Sequence, residues 1–192
     1  MLYYLTGKLI QKKENYFIME TGGFGLQIFA SLTTLKNLPG PDEAVKIFTH
    51  LHIKEDAWDI YGFSNKSEME FFEKLLSVNG VGPKTALNIM NIDSAERLMA
   101  AINEGRVDLL TKASGIRKKT AERVVVELRG KFGQIDSGEI AGIMESDSDI
   151  MDVLQNLGYT KSQAKQAISK VDPKIKNIED RIKAALKILK NV

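Results

Sequence analysis

Apolar and polar residues alternate along the first third of the chain. Val45, Ile47, Thr49, Leu51 and Ile53 interleave with Lys46, Phe48, His50 and His52, and Leu26, Ile28 and Ala30 repeat the rhythm. A period of two is that of a strand with one face turned to a core. Glu14-Asn15, Gly22-Gly23 and Pro39-Gly40-Pro41 punctuate the stretch as turns. The pattern predicts strands at about 2–12, 15–20, 24–30, 45–53 and 57–63. Five strands in so short a segment suit a small closed barrel of the OB type, which hides its edges by closure.

From residue 64 the period lengthens to that of a helix. Ser67 and Glu70 have the spacing of a capping box, and Met69, Phe72, Leu75 and Leu76 follow on one helical face. Asp93 with Glu96 marks a second helix start, whose apolar stripe is Leu98, Ala101 and Ile102. Val124, Val125 and Leu128 supply the stripe of a later helix. Residues 133–146 lose the pattern; they hold glycines, serines and an excess of acid, and read as a flexible linker. Beyond it, 150–157, 161–170 and 177–189 form three short amphipathic stretches, broken by Gly158 and Pro173. The division expected is therefore a barrel over 1–63, a helical domain over 64–132, a linker over 133–146 and a three-helix bundle over 147–192. A bundle that small is near the lower limit for independent stability and gains from docking on a partner.

Within the helical domain one phrase occurs twice. Val78-Asn79-Gly80-Val81-Gly82-Pro83-Lys84-Thr85-Ala86 returns 35 residues later as Ala113-Ser114-Gly115-Ile116-Arg117-Lys118-Lys119-Thr120-Ala121. Each copy follows one helical stretch and opens another. A glycine turn leading into a helix start leaves backbone N–H groups unpaired at the positive end of the helix dipole. With a lysine beside them, such groups form an anion site. Two sites at a fixed offset fit a phosphate backbone held at two points without reading its sequence. A plain turn between packed helices would not need the repeated lysine. A helical solenoid would need about three or more copies. A P-loop needs glycine directly before the Lys-Thr pair, where this chain has Pro83 and Lys118, so no nucleotide hydrolysis is expected.

Charge sharpens this reading. The net charge is only +2, but it is segregated. Arg106 to Lys131 holds eight basic and three acidic residues; Asp136 to Asp152 holds six acidic and no basic ones. The basic stretch contains the second hairpin. Cysteine is absent, which excludes disulfides and thiolate metal sites and fits a reducing, cytoplasmic setting. No apolar run approaches a membrane span. No cofactor or metal is expected.

Taken together, Leu5-Thr6-Gly7, Gly22-Gly23-Phe24-Gly25, Phe48-Thr49-His50, Glu55-Asp56-Ala57, Tyr61-Gly62-Phe63, Asn79 to Lys84 and Lys118 to Arg123 resemble, in order and over nearly the whole chain, the RuvA family of Holliday junction branch migration subunits. The resemblance implies tandem helix-hairpin-helix elements behind the barrel. It implies a homotetramer, one or two to a junction, that holds four-way junction DNA open in a square-planar form. It also implies a hexameric ATPase ring, RuvB, as the motor, and the junction resolvase RuvC as a further partner. DNA contacts carried over are Gly80, Gly82, Lys84, Gly115, Arg117, Lys118, Lys119 and Arg123. Glu55 and Asp56 match the family's acidic pin, whose carboxylates repel phosphates and part the strands. Leu157-Gly158-Tyr159 resembles the short loop of ubiquitin-associated-like bundles, and Leu154, Leu157 and Tyr159 carry over as motor contacts.

In one place the chain departs from the family. The second hairpin usually reads Gly-Ile-Gly, against Gly115-Ile116-Arg117 here. A left-handed backbone at residue 117 would cost an arginine on the order of 1 kcal/mol. The rival function is a helix-hairpin-helix nuclease or glycosylase. Such an enzyme adds a catalytic lysine or aspartate, and Lys119 is the only candidate nucleophile, set among cations.

Overall fold

In a computed structural model of the chain, strands β1 (Tyr4–Lys12), β2 (Tyr16–Thr21), β3 (Phe24–Ala30), β4 (Ala44–Ile53) and β5 (Trp58–Phe63) close into a barrel in the order β1-β2-β3-β5-β4. The structure describes residues 2–132, 147, 149–172, 175 and 177–190. Only β3 and β5 run parallel; every other neighbouring pair is antiparallel. Alternation places Leu9, Phe17, Met19, Ile28 and Ile47 inside, where each is almost wholly buried. The five strands fall within two residues of their predicted bounds.

Between β3 and β4 lies a short helix that the hydrophobic pattern did not reveal, α1 (Leu32–Asn37). Ser31 caps it by accepting from the Thr34 N–H, and Leu35 and Leu38 plug the barrel. Its six residues span less than two turns, too few to print a helical period.

The remaining helices of this unit are α2 (Lys66–Leu76), α3 (Pro83–Met90), α4 (Ala95–Asn103), α5 (Val107–Leu110) and α6 (Lys118–Leu128). Two starts move relative to the sequence reading. Asn65, not Ser67, caps α2 by accepting from the Glu68 N–H at 2.9 Å. Glu68 returns the contact by accepting from the Ser64 N–H at 3.1 Å. Ser94 rather than Asp93 caps α4. In both cases the capping residue has extended backbone just outside the first turn.

The helices share a core with the barrel's end. Phe72 of α2 packs on Tyr61 and Phe63 of β5, with ring centroids 5.2 and 4.9 Å apart. Residues 1–135 accordingly form one compact unit, so the boundary read at residue 63 runs through a shared core. Three polar contacts reinforce it. Thr34 donates to Glu68 at 3.1 Å, the Leu32 N–H donates to Asn91 at 2.7 Å, and His50 meets Glu73 at 3.0 Å.

The second unit spans 136–192. Its described helices are α7 (149–156), α8 (Lys161–Ile168) and α9 (Ile178–Lys190). Ile150, Leu154, Ala164, Ala167, Ile168, Val171 and Ala185 form its core. Thr160 and Gln163 make a full capping box on α8. Arg181 is buried, with its guanidinium paired to Asp147 and donating to the Ile175 carbonyl at 3.2 Å. The linker expected at 133–146 lies outside the described residues. Among the described residues, no helix is long and apolar enough to cross a membrane.

Candidate nucleic-acid interface

Each half of the helical region builds one turn. In the first, α2 ends at Ser77, the Val81 N–H bonds back to the Val78 carbonyl at 3.0 Å, and α3 begins at Pro83. In the second, the Ile116 N–H bonds back to Ala113 at 3.4 Å, and α6 begins at Lys118. Counterpart residues 35 apart bury the same faces: Leu75 and Leu110, Val78 and Ala113, Ala86 and Ala121, Ile89 and Val124. The repeat seen in the sequence is thus a repeat in packing.

The backbone repeats too. Gly80 and Gly115 sit at φ of 87° and 81°, the left-handed region that glycine enters without a Cβ clash. Two residues on, Gly82 has φ −91° and ψ 173°, and Arg117 has φ −92° and ψ 152°. Both are ordinary extended N-cap geometry. The departure at residue 117 therefore carries no backbone penalty. A Cβ at Gly82 would likewise meet nothing within 4 Å, so the second glycine of the first hairpin is not sterically required.

Neither helix start has a side-chain cap. Among the described residues, no hydrogen bond engages the N–H of Gly80, Gly82, Lys84 or Thr85. The same holds for Gly115, Arg117, Lys118 and Lys119 in the second hairpin. Lys84, Arg117, Lys118 and Lys119 are exposed beside these groups. Unpaired amides, the positive ends of two helix dipoles and four exposed cations give each turn the chemistry that suits an anion. Arg123 is half-buried and donates through Nη1 to the Asn79 carbonyl at 2.9 Å. A mirror contact, absent from the sequence reading, runs from Asn88 to the Ser114 carbonyl at 2.8 Å. Only the 35-residue correspondence of positions 88 and 123 hinted at it.

Glu55 and Asp56 occupy the tip of the β4–β5 hairpin, closed by the Lys54 N–H on the Ala57 carbonyl at 2.9 Å. Both are exposed, and among the described residues neither joins an ion pair. The neighbouring lysine, Lys54, is engaged instead by Asp59 at 2.8 Å. The tip thus keeps two uncompensated negative charges.

In the second unit the three carried-over residues separate. Leu154 is wholly buried in the bundle core and presents no surface to a partner. Tyr159 is half-buried against that core, and Leu157 is 58% exposed. Gly158, at φ 92°, ends α7 and leaves Leu157 outside. Of these three, Leu157 is the exposed apolar side chain, while Leu154 holds the bundle together.

A closed barrel fused to paired helix-hairpin-helix turns defines the class: a tandem helix-hairpin-helix protein whose turns leave backbone amides uncapped beside exposed cations. Residues 1–62 match the RuvA N-terminal domain, 72–131 the SAM-like helix-hairpin-helix tandem, and 148–190 the RuvA C-terminal domain. The chain belongs to the RuvA family. It is 39% identical over 193 residues to the Holliday junction branch migration complex subunit RuvA of Thermoanaerobacter sp. (strain X514), covering 98% of this chain and 99% of the relative. The subunits of the same name from Neisseria meningitidis serogroup C (39%) and Dehalococcoides mccartyi (35%) align over at least 98% of both chains.

Proposed function

We propose that this chain is the non-catalytic, junction-binding subunit of a branch migration complex. It binds four-way DNA junctions without sequence preference, as a homotetramer whose fourfold symmetry matches the four arms. The two hairpins grip phosphates through the amides around Gly80, Gly82, Gly115 and Arg117 and through Lys84, Lys118, Lys119 and Arg123. The Glu55-Asp56 tip repels phosphates and directs strands apart. The C-terminal bundle, through Leu157 and Tyr159, recruits a hexameric RuvB-type ATPase, and its covalent connection to the junction-binding unit raises the motor's local concentration. A RuvC-type resolvase is a further partner.

The observation that carries this reading is the duplication. Two turns with the same backbone conformation each expose unpaired amides and lysines, in a chain whose relatives bear the junction subunit's name from end to end. Phosphate contacts of this kind position a duplex without reading bases. Strand exchange at a junction forms as many base pairs as it breaks, so such contacts permit sliding.

The test is a gel shift in excess linear competitor, comparing a four-way junction with linear duplex of the same sequence. Preference for the junction is expected; equal binding overturns the proposal. Truncation after Phe132 should keep junction binding and abolish motor-stimulated migration. Cleavage of labelled junction by the pure protein with magnesium would favour the nuclease alternative instead.

A further inference from the structure

Asn88 and Arg123 occupy the same place in the two halves, 35 residues apart and six residues beyond the N-caps Gly82 and Arg117. Each donates to a backbone carbonyl of the opposite half. Asn88 Nδ2 reaches the Ser114 oxygen at 2.8 Å; Arg123 Nη1 reaches the Asn79 oxygen at 2.9 Å. Asn79 and Ser114 are themselves counterparts, each directly before the left-handed glycine. The contacts therefore cross and obey an approximate two-fold relation. A carboxamide and a guanidinium are unlike chemically, and what they share is a donor aimed at the same carbonyl of the other turn.

A trans peptide is planar, so its C=O and N–H point in opposite directions. Fixing the Asn79 carbonyl fixes the Gly80 N–H, and fixing the Ser114 carbonyl fixes the Gly115 N–H. Both N–H groups are unpaired and face away from the side chain that holds their peptide. The turns are short and exposed at their tips, and within each turn a single backbone bond closes the loop across the glycine. A bond from outside the turn is what ties its orientation to the other half.

We infer that Asn88 and Arg123 are positioning residues: each braces the hairpin of the opposite motif, so that the Gly80 and Gly115 amides are preset as a pair before DNA arrives. The inference rests on the phosphate-gripping reading above, but the brace exists in the free protein. Preset amides lose less freedom on binding than mobile ones. The brace also gives Arg123 a second duty beside any phosphate contact, and brings in Asn88, an uncharged residue that a search for cations passes over.

The experiment has two arms, both on the full-length chain. In the first, hydrogen exchange is followed without DNA at the bonded turn amides. Asn88→Ala should speed exchange at Ala113 and Ile116 and leave Val78 and Val81 unchanged. Asn88→Asp, which keeps the shape but offers no donor, should do the same, and it serves if the alanine variant folds poorly. Asn88→Arg, borrowing the counterpart residue, should restore the wild-type rate. Loosening of Val78 and Val81 instead, or no change at either turn, overturns the brace.

The second arm measures junction affinity across a range of salt. Asn88→Ala should weaken binding by about three- to tenfold, the worth of one hydrogen bond, without altering the salt slope. In double-mutant cycles it should couple to Lys119→Ala in the opposite motif and be additive with Lys84→Ala in its own. Coupling only to Lys84 overturns the crossed arrangement. Faster exchange with unchanged affinity keeps the brace and overturns the phosphate-gripping reading, so the two failures are distinct.

Discussion

The two hairpins share a backbone and divide on chemistry. Their glycines lie at φ 87° and 81°, and the residues two further on at φ −91° and −92°. Yet the first runs Gly82-Pro83-Lys84 and the second Arg117-Lys118-Lys119. The first is stiff: Pro83 presets the opening turn of α3, at the cost of one N–H. The second is charged: three cations line it, and Lys118 supplies the N–H that Pro83 lacks. Only one position per hairpin, 80 or 115, demands glycine. The position two residues later accepts either a glycine or a cation, so charge can change there without touching the turn.

The largest effect expected follows from this imbalance. Removing Arg117, Lys118 and Lys119 together by alanine substitution should lower junction affinity on the order of a hundredfold at 0.1 M salt and flatten the log–log salt slope by about three. Lys84→Ala should flatten it by about one. Equal slopes for the two variants would mean that the hairpins do not differ in phosphate contacts. Next comes the position that both hairpins share. Gly80→Ala and Gly115→Ala should each cost about 1 kcal/mol. For a chain of this size that is a fall of about 2–4 °C in Tm. A neutral result at either would break the equivalence of the turns. Smaller still is Gly82→Arg, which converts the first hairpin toward the second. With φ −91° and open space around the Cβ, it should fold normally and steepen the salt slope by about one. A loss of stability there would show that the second glycine matters after all.

Both the likeness and the difference were written in the sequence at different depths. The barrel strands were legible because a half-buried strand must alternate. The hairpins were legible because the phrase repeats with its lysines. The conformation of residue 117 was not, since Arg117 and Gly82 are unlike residues in one backbone state. Helix α1 was invisible at six residues, although Thr34 and Leu32 tie the barrel to α2 and to Asn91. The shift of the α2 cap from Ser67 to Asn65 shows how several polar residues in a row leave the starting residue open. Leu154 and Leu157 lie three apart on one helical pattern, and only the three-dimensional end of α7 at Gly158 separates core from surface.

The helices leading into the two hairpins differ least of all, in the titration of one carboxyl each. The helix leading into the first hairpin carries Glu68, whose carboxyl is pushed above its usual range by burial, against the lowering pull of the Ser64 N–H and the Thr34 hydroxyl. The helix leading into the second carries Asp108, whose carboxyl is held below its usual range by the hydrogen bond from Arg106. The signs are opposite. Folded Glu68 holds its proton more tightly than the unfolded chain does, so stability falls as pH rises from the ordinary carboxylate value through the raised one. Asp108 contributes stability above the ordinary value and loses it as pH falls through the depressed one. Asp108 is largely exposed, so solvent screens its share. Denaturant melts against pH should therefore show two separate windows. Glu68→Gln should flatten the upper one and Asp108→Asn the lower one, the latter by less. If Glu68→Gln left the upper window as steep as before, the buried Glu68 carboxyl would not be the group that titrates there.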